Sequence, residues 1–382
     1  MPIKDCVGCP SSLINTGFAM GEGPTTAPIM FIGEALGEQE VNEGRPFVGG
    51  TGKMLRMMLH QAGIPESMFY ITNVVKCRPP GNRTPTQTEI DMCTTRYLWK
   101  EIQYVKPRII VPVGDIALKC ILPTCRTGII ASRGYTFTSP QGQVIPIVHP
   151  SFVARGNPQY WAITVADLGK IKDAALGRSK PHPTERFIIR PTLEQVEEAC
   201  DTIKRGRLRF TFDLETVGVR ETLNIMCIGF AWSQSDAICV PLLTRGGHVY
   251  WKDYSDEYQV WKMLCDLFDS DIDMVGQNIF TFDIPKLLEV GVHIRRNNAL
   301  GVSRAHDTLI RHHNIATELP HSLAFLGSIY TDIPHYKLMV KGAGGMMWAP
   351  DDIMWTYNCR DCITTYIADQ QIVEEMRELG LA

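Results

Sequence analysis

The chain has 382 residues, more than one hydrophobic core usually organises, so two domains are expected. Hydrophobic residues make up 45% and charged residues 21%, and no apolar run approaches the roughly 20 residues that a membrane span needs. The first residues, MPIKDCVGC, carry no basic stretch followed by an apolar one, so we expect no secretory signal, no membrane partner and a cytoplasmic location. A formal net charge of −3 does not indicate a nucleic-acid binder, so any such surface has to be local.

The first 175 residues alternate apolar runs with stretches of helical spacing. Four runs are predicted to be buried strands that end at glycine, proline or polar residues: 27–33, 69–77, 108–114 and 143–151. Strands that alternate with helices favour an α/β fold with a mainly parallel sheet. Such sheets place ligand chemistry beyond the carboxyl ends of their strands, where Glu34, Asn73 and His149 stand.

A basic segment with two prolines and little apolar content, residues 176–190, is the predicted linker. It separates a first domain at 1–175 from a second at 191–382. The second domain opens with three strand-like runs joined by short connections, which predict an antiparallel meander: LRFTFDLET, NIMCIGFAWS and AICVPLL. The residues that follow are predicted to be mostly helical.

Twelve cysteines are many for a cytosolic chain, and most of them are expected to be free core thiols. Cys6 and Cys9 form a C-x2-C pair, whereas Cys77 and Cys93 flank a loop of prolines and basic residues. Together the four thiolates suit either structural zinc or an iron–sulfur cluster. Zinc more often uses two short pairs, but the spacing alone leaves both metals open.

The motifs around these cysteines carry a resemblance to a known family. Four segments, in this order, resemble the motifs of the family 4, iron–sulfur uracil-DNA glycosylases: GEALGEQEVNEGRPFVGGTGKML (33–55), NVVKCRPPGNRTP (73–85), SRG (132–134) and HPSFVAR (149–155). The resemblance covers residues 1 to about 175 and implies the three-layer fold of that family, with a mainly parallel sheet. It also implies hydrolytic excision of uracil from DNA and a [4Fe–4S] cluster held by Cys6, Cys9, Cys77 and Cys93.

The resemblance implies a role for each candidate of the base pocket. A glycosylase has to turn uracil out of the base stack into a tight pocket. Phe47 supplies an aromatic face for the base, the amide of Asn73 matches the uracil edge, and Ala35 belongs to the same pocket. His149 donates to uracil O2 as negative charge grows on the leaving base.

Acidic and basic candidates surround that pocket. Glu34 and Glu40, in the first motif, are the candidates for orienting water or for stabilising positive charge on the sugar. By the resemblance, Arg78 and Arg83 of the cysteine-flanked loop face DNA phosphates. Arg155 contacts the strand or fills the vacated base stack. DNA is therefore the expected partner.

Three segments of the second half contribute acidic residues. Asp213 and Glu215 project to one face of a predicted strand. Asp283 lies in a separate segment, and Asp361 follows Tyr357 by one turn of a predicted helix. Four carboxylates suit two hard divalent cations, which can stabilise the attacking water and the leaving oxygen in phosphodiester cleavage.

The order and spacing of these residues resemble the DEDDy 3′–5′ exonucleases, especially the proofreading domain of family A DNA polymerases. The resemblance implies a ribonuclease H-like (DnaQ-like) α/β domain. It also implies that the four acids bind two Mg²⁺ or Mn²⁺ ions while Tyr357 orients the attacking water. Cys359 and Cys362 flank Asp361 on the same predicted helix, so we expect them to be core thiols.

Together the two resemblances predict a bifunctional DNA enzyme: a monofunctional uracil-DNA glycosylase and a metal-dependent 3′–5′ exodeoxyribonuclease. No pocket lysine is indicated for lyase chemistry. The layout resembles the front of polymerase fusions of SPO1-like bacteriophages, which implies phage DNA replication or repair in the host cytoplasm, with a separate polymerase subunit as a further partner. Alternatively, because Leu36 replaces the proline of the family's GEAPG motif, the first domain is a non-catalytic uracil sensor attached to the proofreading part of a split or truncated polymerase.

Overall fold

The computed structural model describes residues 6, 8–10, 17–178, 183–217, 224–294, 304–337 and 349–381. The chain divides into two compact units, Met1–Lys180 and Pro181–Ala382, each with its own sheet. Among the described helices, none combines the length and the apolar character that crossing a membrane requires.

A five-stranded sheet forms the centre of the first unit. Its strands are β1 (Ile29–Gly33), β2 (Phe69–Asn73), β3 (Ile109–Pro112), β4 (Phe137–Ser139) and β5 (Gly142–Val144). In the spatial order β2-β1-β3-β5-β4, all pairs are parallel except β4 with β5. Every residue of β1, β2 and β3 is buried, as expected for apolar parallel strands. The mainly parallel α/β fold predicted for this half is confirmed.

The described α-helices of this unit are α1 (Glu38–Glu43), α2 (Gly50–Gln61), α3 (Gln87–Cys93), α4 (Trp99–Val105), α5 (Asp115–Ile121), α6 (Ile129–Ser132), α7 (Pro150–Ala154) and α8 (Tyr160–Ala175). Local signals explain two of their starts. Thr86 and Glu89 form a capping box at α3, and Pro150 stands at the first position of α7. A π-helical turn over Thr94–Leu98 joins α3 to α4.

All four predicted strands of the first unit are shorter in the structure than in the prediction, and two of them end well before the predicted residue. The run 69–77 forms a strand only as far as Asn73, and the run 143–151 contributes only the end of β5. Pro146 has no N–H with which to continue the β5 ladder, although the N–H of Ile147 still donates to the carbonyl of Pro112 at 3.0 Å. The strand ends therefore carry irregular backbone.

A six-stranded mixed sheet forms the second unit. Its strands are β6 (Arg186–Ile188), β7 (Phe210–Val217), β8 (Asn224–Ala231), β9 (Asp236–Pro241), β10 (Met274–Gly276) and β11 (Ala305–Asp307), in the spatial order β11-β10-β7-β8-β9-β6. The predicted antiparallel meander of β7, β8 and β9 is confirmed, and β10 and β11 continue the sheet in parallel on the far side of β7. The second unit is thus an α/β domain with a mixed sheet, which agrees with the α/β class that was predicted for it.

The linker predicted at 176–190 extends too far towards the C-terminus. Its residues Arg186–Ile188 form β6, which pairs in parallel with β9 at the edge of the second sheet. Across this ladder Arg186 makes two contacts of 2.6 Å with the carboxylate of Asp236. A three-residue edge strand is too short to show alternation, and its partner strand lies far along the chain.

The described α-helices of the second unit are α9 (Leu193–Gly206), α10 (Tyr254–Phe268), α11 (Asp283–Glu289), α12 (Thr308–Ile315), α13 (Leu323–Tyr330) and α14 (Asp351–Glu378). The long α14 packs on β7, β8 and β9. Gly229 of β8 permits this approach, since a Cβ there would lie 2.2 Å from Oδ1 of Asn358. Cys359 and Cys362 are fully buried on the same face, as expected for core thiols.

Candidate active sites

The predicted base-binding residues of the first unit line one cavity of about 590 Å³. Because β1 and β2 pair in register up to Gly33 and Asn73, the residues that follow both strands meet at the same sheet edge. The cavity lining includes Glu34, Ala35, Glu40, Phe47, Asn73, Arg83, His149 and Arg155. Arg78 is outside this lining.

Phe47 and Asn73 meet over bare backbone at Gly33. A Cβ on Gly33 would lie 2.4 Å from both Oδ1 of Asn73 and Cζ of Phe47, so only glycine leaves room for the two side chains. Phe47 has a left-handed backbone, with φ of 55°, a strained conformation that is enriched at functional positions. Its ring centroid lies 6.4 Å from that of His149. The cavity thus has an aromatic wall bordered by an amide and an imidazole.

His149 caps the N-terminus of α7 through its ring. The backbone N–H of Ser151 donates to Nδ1 at 3.1 Å, and the hydroxyl of Ser151 lies 2.8 Å from the same nitrogen. Burial, together with the nearby charge of Arg155, lowers the pKa of His149 to about 4. The imidazole is therefore neutral at physiological pH, and because Nδ1 accepts, its proton lies on Nε2.

The two candidate glutamates have different surroundings. Oε1 of Glu40 accepts from the backbone N–H of Gly49 at 2.8 Å, and a Cβ on Gly37 would lie 2.4 Å from Oε2. Glu40 thus holds two glycine-containing segments together. Glu34 is half-buried, burial raises its pKa, and its carboxylate forms no hydrogen bond within the part of the chain that the structure describes. Of the two, Glu34 is the carboxylate available to a ligand.

Leu36, which replaces the family's proline, is buried and lines the same cavity. The turn around it is held by backbone hydrogen bonds, from Val74 to the carbonyl of Gly33 at 2.8 Å and from Val75 to that of Glu34 at 2.9 Å. These bonds do not depend on the side chain at position 36. The carbonyl of Glu34 is therefore fixed without the proline.

The predicted DNA-binding arginines differ in what they already contact. Arg83 makes two bonds of 2.9 Å with the carboxylate of Glu89, the residue that closes the capping box of α3. Arg78 is 3.3 Å from Glu38 in an exposed pair, and such pairs contribute little to stability. Arg83 is thus committed to its own loop more firmly than Arg78, while Arg155 stands at the cavity.

The four cysteines predicted to bind metal are brought together from three places in the chain. Cys6, Cys9, Cys77 and Cys93 are buried and line one small cavity, together with apolar residues, a tyrosine and Arg96. The backbone N–H of Lys76 donates to Sγ of Cys93 at 3.2 Å. Burial raises the pKa of Cys77 to about 12 and that of Cys93 to about 11, with further contributions from the neighbouring thiols. The thiolate forms of Cys77 and Cys93 therefore require a positively charged partner.

In the second unit, three of the four predicted acids form a cluster. Carboxylate oxygens of Asp213, Glu215 and Asp361 all lie within 4.8 Å of one another. Asp283 stands at the start of α11 and accepts from the backbone N–H of Leu214, between the first two acids, at 3.0 Å. Burial and mutual repulsion raise the pKa of Asp213 and Glu215 well above their usual range, and burial raises that of Asp283 to about 7.

Lys337 supplies the positive charge at this cluster, and no sequence motif pointed to it. Its Nζ lies 2.6 Å from the hydroxyl of Tyr357 and 2.7 and 2.8 Å from the two carboxylate oxygens of Asp361. Asn358, also missed, donates to Oδ2 of Asp213 at 2.9 Å. Tyr357 and Asp361 thus share one face of α14, as predicted.

Comparison with known proteins places the first unit in a class. Residues 20–169 match the uracil DNA glycosylase superfamily. The type-4 uracil-DNA glycosylase of Thermotoga maritima is 39% identical over 172 residues, which are 44% of this chain and 89% of that enzyme. Its counterpart in Sulfurisphaera tokodaii is 37% identical over 182 residues, 46% of this chain and 82% of that enzyme. The chain therefore belongs to the type-4 uracil-DNA glycosylase family.

Two further similarities are partial. The DNA polymerase of Bacillus phage SP01 is 31% identical over 203 residues, which are 52% of this chain but only 22% of that polymerase. The EXO domain of Aedes aegypti Nibbler has a TM-score of 0.39 and 14% identity, over 53% of this chain and 92% of that domain.

We predict that the His149 imidazole stays neutral from pH 8 to pH 5 and titrates near pH 4, because burial and Arg155 oppose its protonation. The measurement is an NMR pH titration of histidine-labelled protein, with the signal assigned by its loss in His149→Asn. The urea-unfolded chain provides the reference, in which an ordinary histidine titrates near 6.5. Titration of the folded His149 signal at that ordinary value would contradict the prediction.

Proposed function

We propose that the first unit excises uracil from DNA by hydrolysing the N-glycosidic bond. The observation that carries this proposal is the convergence of Phe47, Asn73 and a neutral His149 in one cavity of a type-4 family member. A base turned out of the stack would lie against Phe47, with its edge read by the amide of Asn73. Cytosine presents the opposite donor and acceptor pattern at that edge, so the amide also rejects it.

His149 and Glu34 have complementary tasks in this reaction. The Nε2–H of neutral His149 donates to uracil O2 as negative charge accumulates on the leaving base. Glu34, whose carboxylate is free of protein hydrogen bonds in the described chain, orients the attacking water or stabilises positive charge on the sugar. Glu40 keeps the surrounding loops in place through Gly49. The products are free uracil and an abasic site.

The four cysteines of the first unit fit an iron–sulfur cluster better than zinc. No three of these described sulfurs lie within 4.8 Å of one another, whereas zinc with sulfurs at about 2.3 Å requires them about 3.8 Å apart. A [4Fe–4S] cluster binds each thiolate through a different iron and accommodates wider spacing. Cys6, Cys9, Cys77 and Cys93 would hold it, and its contribution is to tie both ends of the Arg78 and Arg83 loop to the N-terminal segment.

The DNA surface of the first unit is proposed to surround the cavity mouth. Arg155 lines the cavity and carries a charge that suits a phosphate or the gap left by the flipped base. Arg78, held by exposed contacts with Glu38 at 3.3 Å and with Oδ1 of Asn82 at 3.4 Å, can exchange these partners for a phosphate. Arg83 contributes mainly through the loop geometry that its bond to Glu89 maintains.

We also propose that the second unit removes nucleotides from the 3′ ends of DNA with two Mg²⁺ or Mn²⁺ ions. The supporting observation is the cluster of Asp213, Glu215 and Asp361, whose oxygen donors and mutual repulsion suit hard cations. Asp283 completes the set through its place beside Leu214. When bound, the ions stabilise the attacking and leaving oxygens of phosphodiester cleavage. Tyr357 orients the attacking water, and Nζ of Lys337 donates a hydrogen bond to the hydroxyl of Tyr357.

The similarity to the phage SP01 polymerase supports a role in phage DNA replication or repair within the bacterial host. We propose a separate polymerase as a partner of this chain, with the two activities acting on newly made DNA. A non-catalytic uracil sensor is the alternative for the first unit, and the assay below separates the two.

Uracil excision is tested on a labelled oligonucleotide with one uracil and a protected 3′ end, in EDTA, with alkali used to reveal abasic sites. We expect cleavage at the uracil position, reduced about 100-fold or more by Asn73→Ala or His149→Ala because each removes a donor to the leaving base. Gln103→Ala, an exposed amide on α4, is the matched control and should cleave normally. Uracil-dependent binding without cleavage by the wild type would instead establish the sensor.

Nuclease activity is tested on a labelled DNA strand that contains no uracil and has an unprotected 3′ end, with added Mg²⁺ or Mn²⁺. We expect Asp213→Asn to fall to the level of the wild type in EDTA, because the cluster loses a metal ligand, while uracil excision stays unchanged. Asp269→Asn, an exposed aspartate at the end of α10, should degrade DNA like the wild type. Degradation by Asp213→Asn at the wild-type rate would show that the nuclease uses another site and would contradict the proposal.

A further inference from the structure

Lys76 lies between the two sites of the first unit, three residues after Asn73 and next to Cys77. Its side chain is completely buried. The ammonium Nζ donates to the carbonyl of Asn73 at 2.8 Å and to Oγ1 of Thr72 at 2.5 Å. Its backbone N–H donates to Sγ of Cys93 at 3.2 Å. One residue thus contacts both the base-reading strand end and a cysteine of the cluster site.

Glu101 of α4 is the counter-ion of Lys76, and it is buried as well. Its carboxylate also accepts from the backbone N–H of Gly21 at 2.8 Å and from Oγ1 of Thr72 at 2.9 Å. Since α4 continues the helical path that begins with α3 and Cys93, the ion pair connects β2 to the helices behind the four cysteines. Buried charges tolerate little displacement, because each is costly without its partner.

The carbonyl that accepts from Lys76 belongs to Asn73, the residue proposed to read the uracil edge. Asn73 is the last residue of β2, and regular strand structure ends there. A hydrogen bond to its carbonyl limits rotation of the following peptide and so fixes the direction in which the Asn73 side chain leaves the backbone. The Asn73 amide packs closely against the backbone of Gly33, since a Cβ added at Gly33 would lie 2.4 Å from its Oδ1.

We propose that Lys76 and Glu101 form a positioning pair for uracil recognition, which holds Asn73 in its reading orientation. This role rests on the proposed uracil excision by the first unit. Neither residue lines the base cavity, so both act through Asn73 rather than on the base. The competing explanation is that the pair contributes only to the stability of the fold.

Three variants separate the two explanations. Lys76→Met leaves the buried carboxylate of Glu101 without its counter-ion, and the variant should lose both thermal stability and activity. The double variant Lys76→Met/Glu101→Gln removes both charges, while the glutamine still accepts from Gly21, so its thermal midpoint should return towards the wild type. Lys100→Met, the exposed neighbour of Glu101 on α4, is the matched control.

The decisive readouts are the single-turnover rate of uracil excision at saturating DNA, the DNA affinity, the iron content and the thermal midpoint. For the double variant we expect an excision rate about tenfold lower, since the hydrogen bond to the Asn73 carbonyl is missing. Its DNA affinity and iron content should match those of Lys100→Met.

A stable double variant that excises uracil at the wild-type rate would overturn the positioning role and leave the pair as a stabilising one. A double variant without iron would also overturn it, because the defect would then belong to the cluster site. An inactive wild-type protein would overturn uracil excision itself, and this role with it.

Discussion

The in-register parallel pairing of β1 and β2 up to Gly33 and Asn73 is the constraint on which the first site depends. It brings Glu34, the end of β2 and the aromatic ring of Phe47 to one point, and it works only because residue 33 has no side chain. His149 reaches the same point from the segment that follows β5. It packs against Gly114, where an added Cβ would lie only 3.2 Å from Cβ of His149. The cavity is thus built from strand ends and bare backbone, and its polar groups are few and fixed.

Each unit holds close together several acidic groups that would repel one another when ionised, and the two units differ in what offsets that repulsion. In the first, burial raises the pKa of the Cys77 and Cys93 thiols, so a cationic group bound there would stabilise their thiolate forms. In the second, Asp213 and Asp361 repel each other, and Lys337 offsets part of that repulsion through Asp361. Lys337 thus contacts Asp361, one of the carboxylates that we propose as metal ligands. The second site therefore combines a cluster of carboxylates with a lysine side chain in direct contact with one of them.

Much of this arrangement could be predicted from local sequence. The alternation of apolar runs with helical stretches predicts the parallel sheet. The spacing of Asp213 and Glu215 on a strand, and of Tyr357 and Asp361 on a helix, predicts that each pair shares one face. Contacts between distant segments carry no such signal, so Lys337 at Tyr357, Asn358 at Asp213 and the pairing of β6 with β9 could not be anticipated. The different surroundings of Glu34 and Glu40 could not be predicted either, because they depend on a hydrogen bond from the backbone N–H of Gly49 to Glu40 and not on a side-chain pattern.

The most direct test of the account is uracil excision by Gly33→Ala, compared with Gly50→Ala, whose added methyl would meet open space. The account predicts that Gly33→Ala keeps its iron and its fold but excises uracil about 100-fold more slowly, because the methyl displaces Asn73 and Phe47. Gly50→Ala should behave as the wild type. If Gly33→Ala excised uracil at the wild-type rate, the strand ends would not form the base site, and the central claim would be wrong.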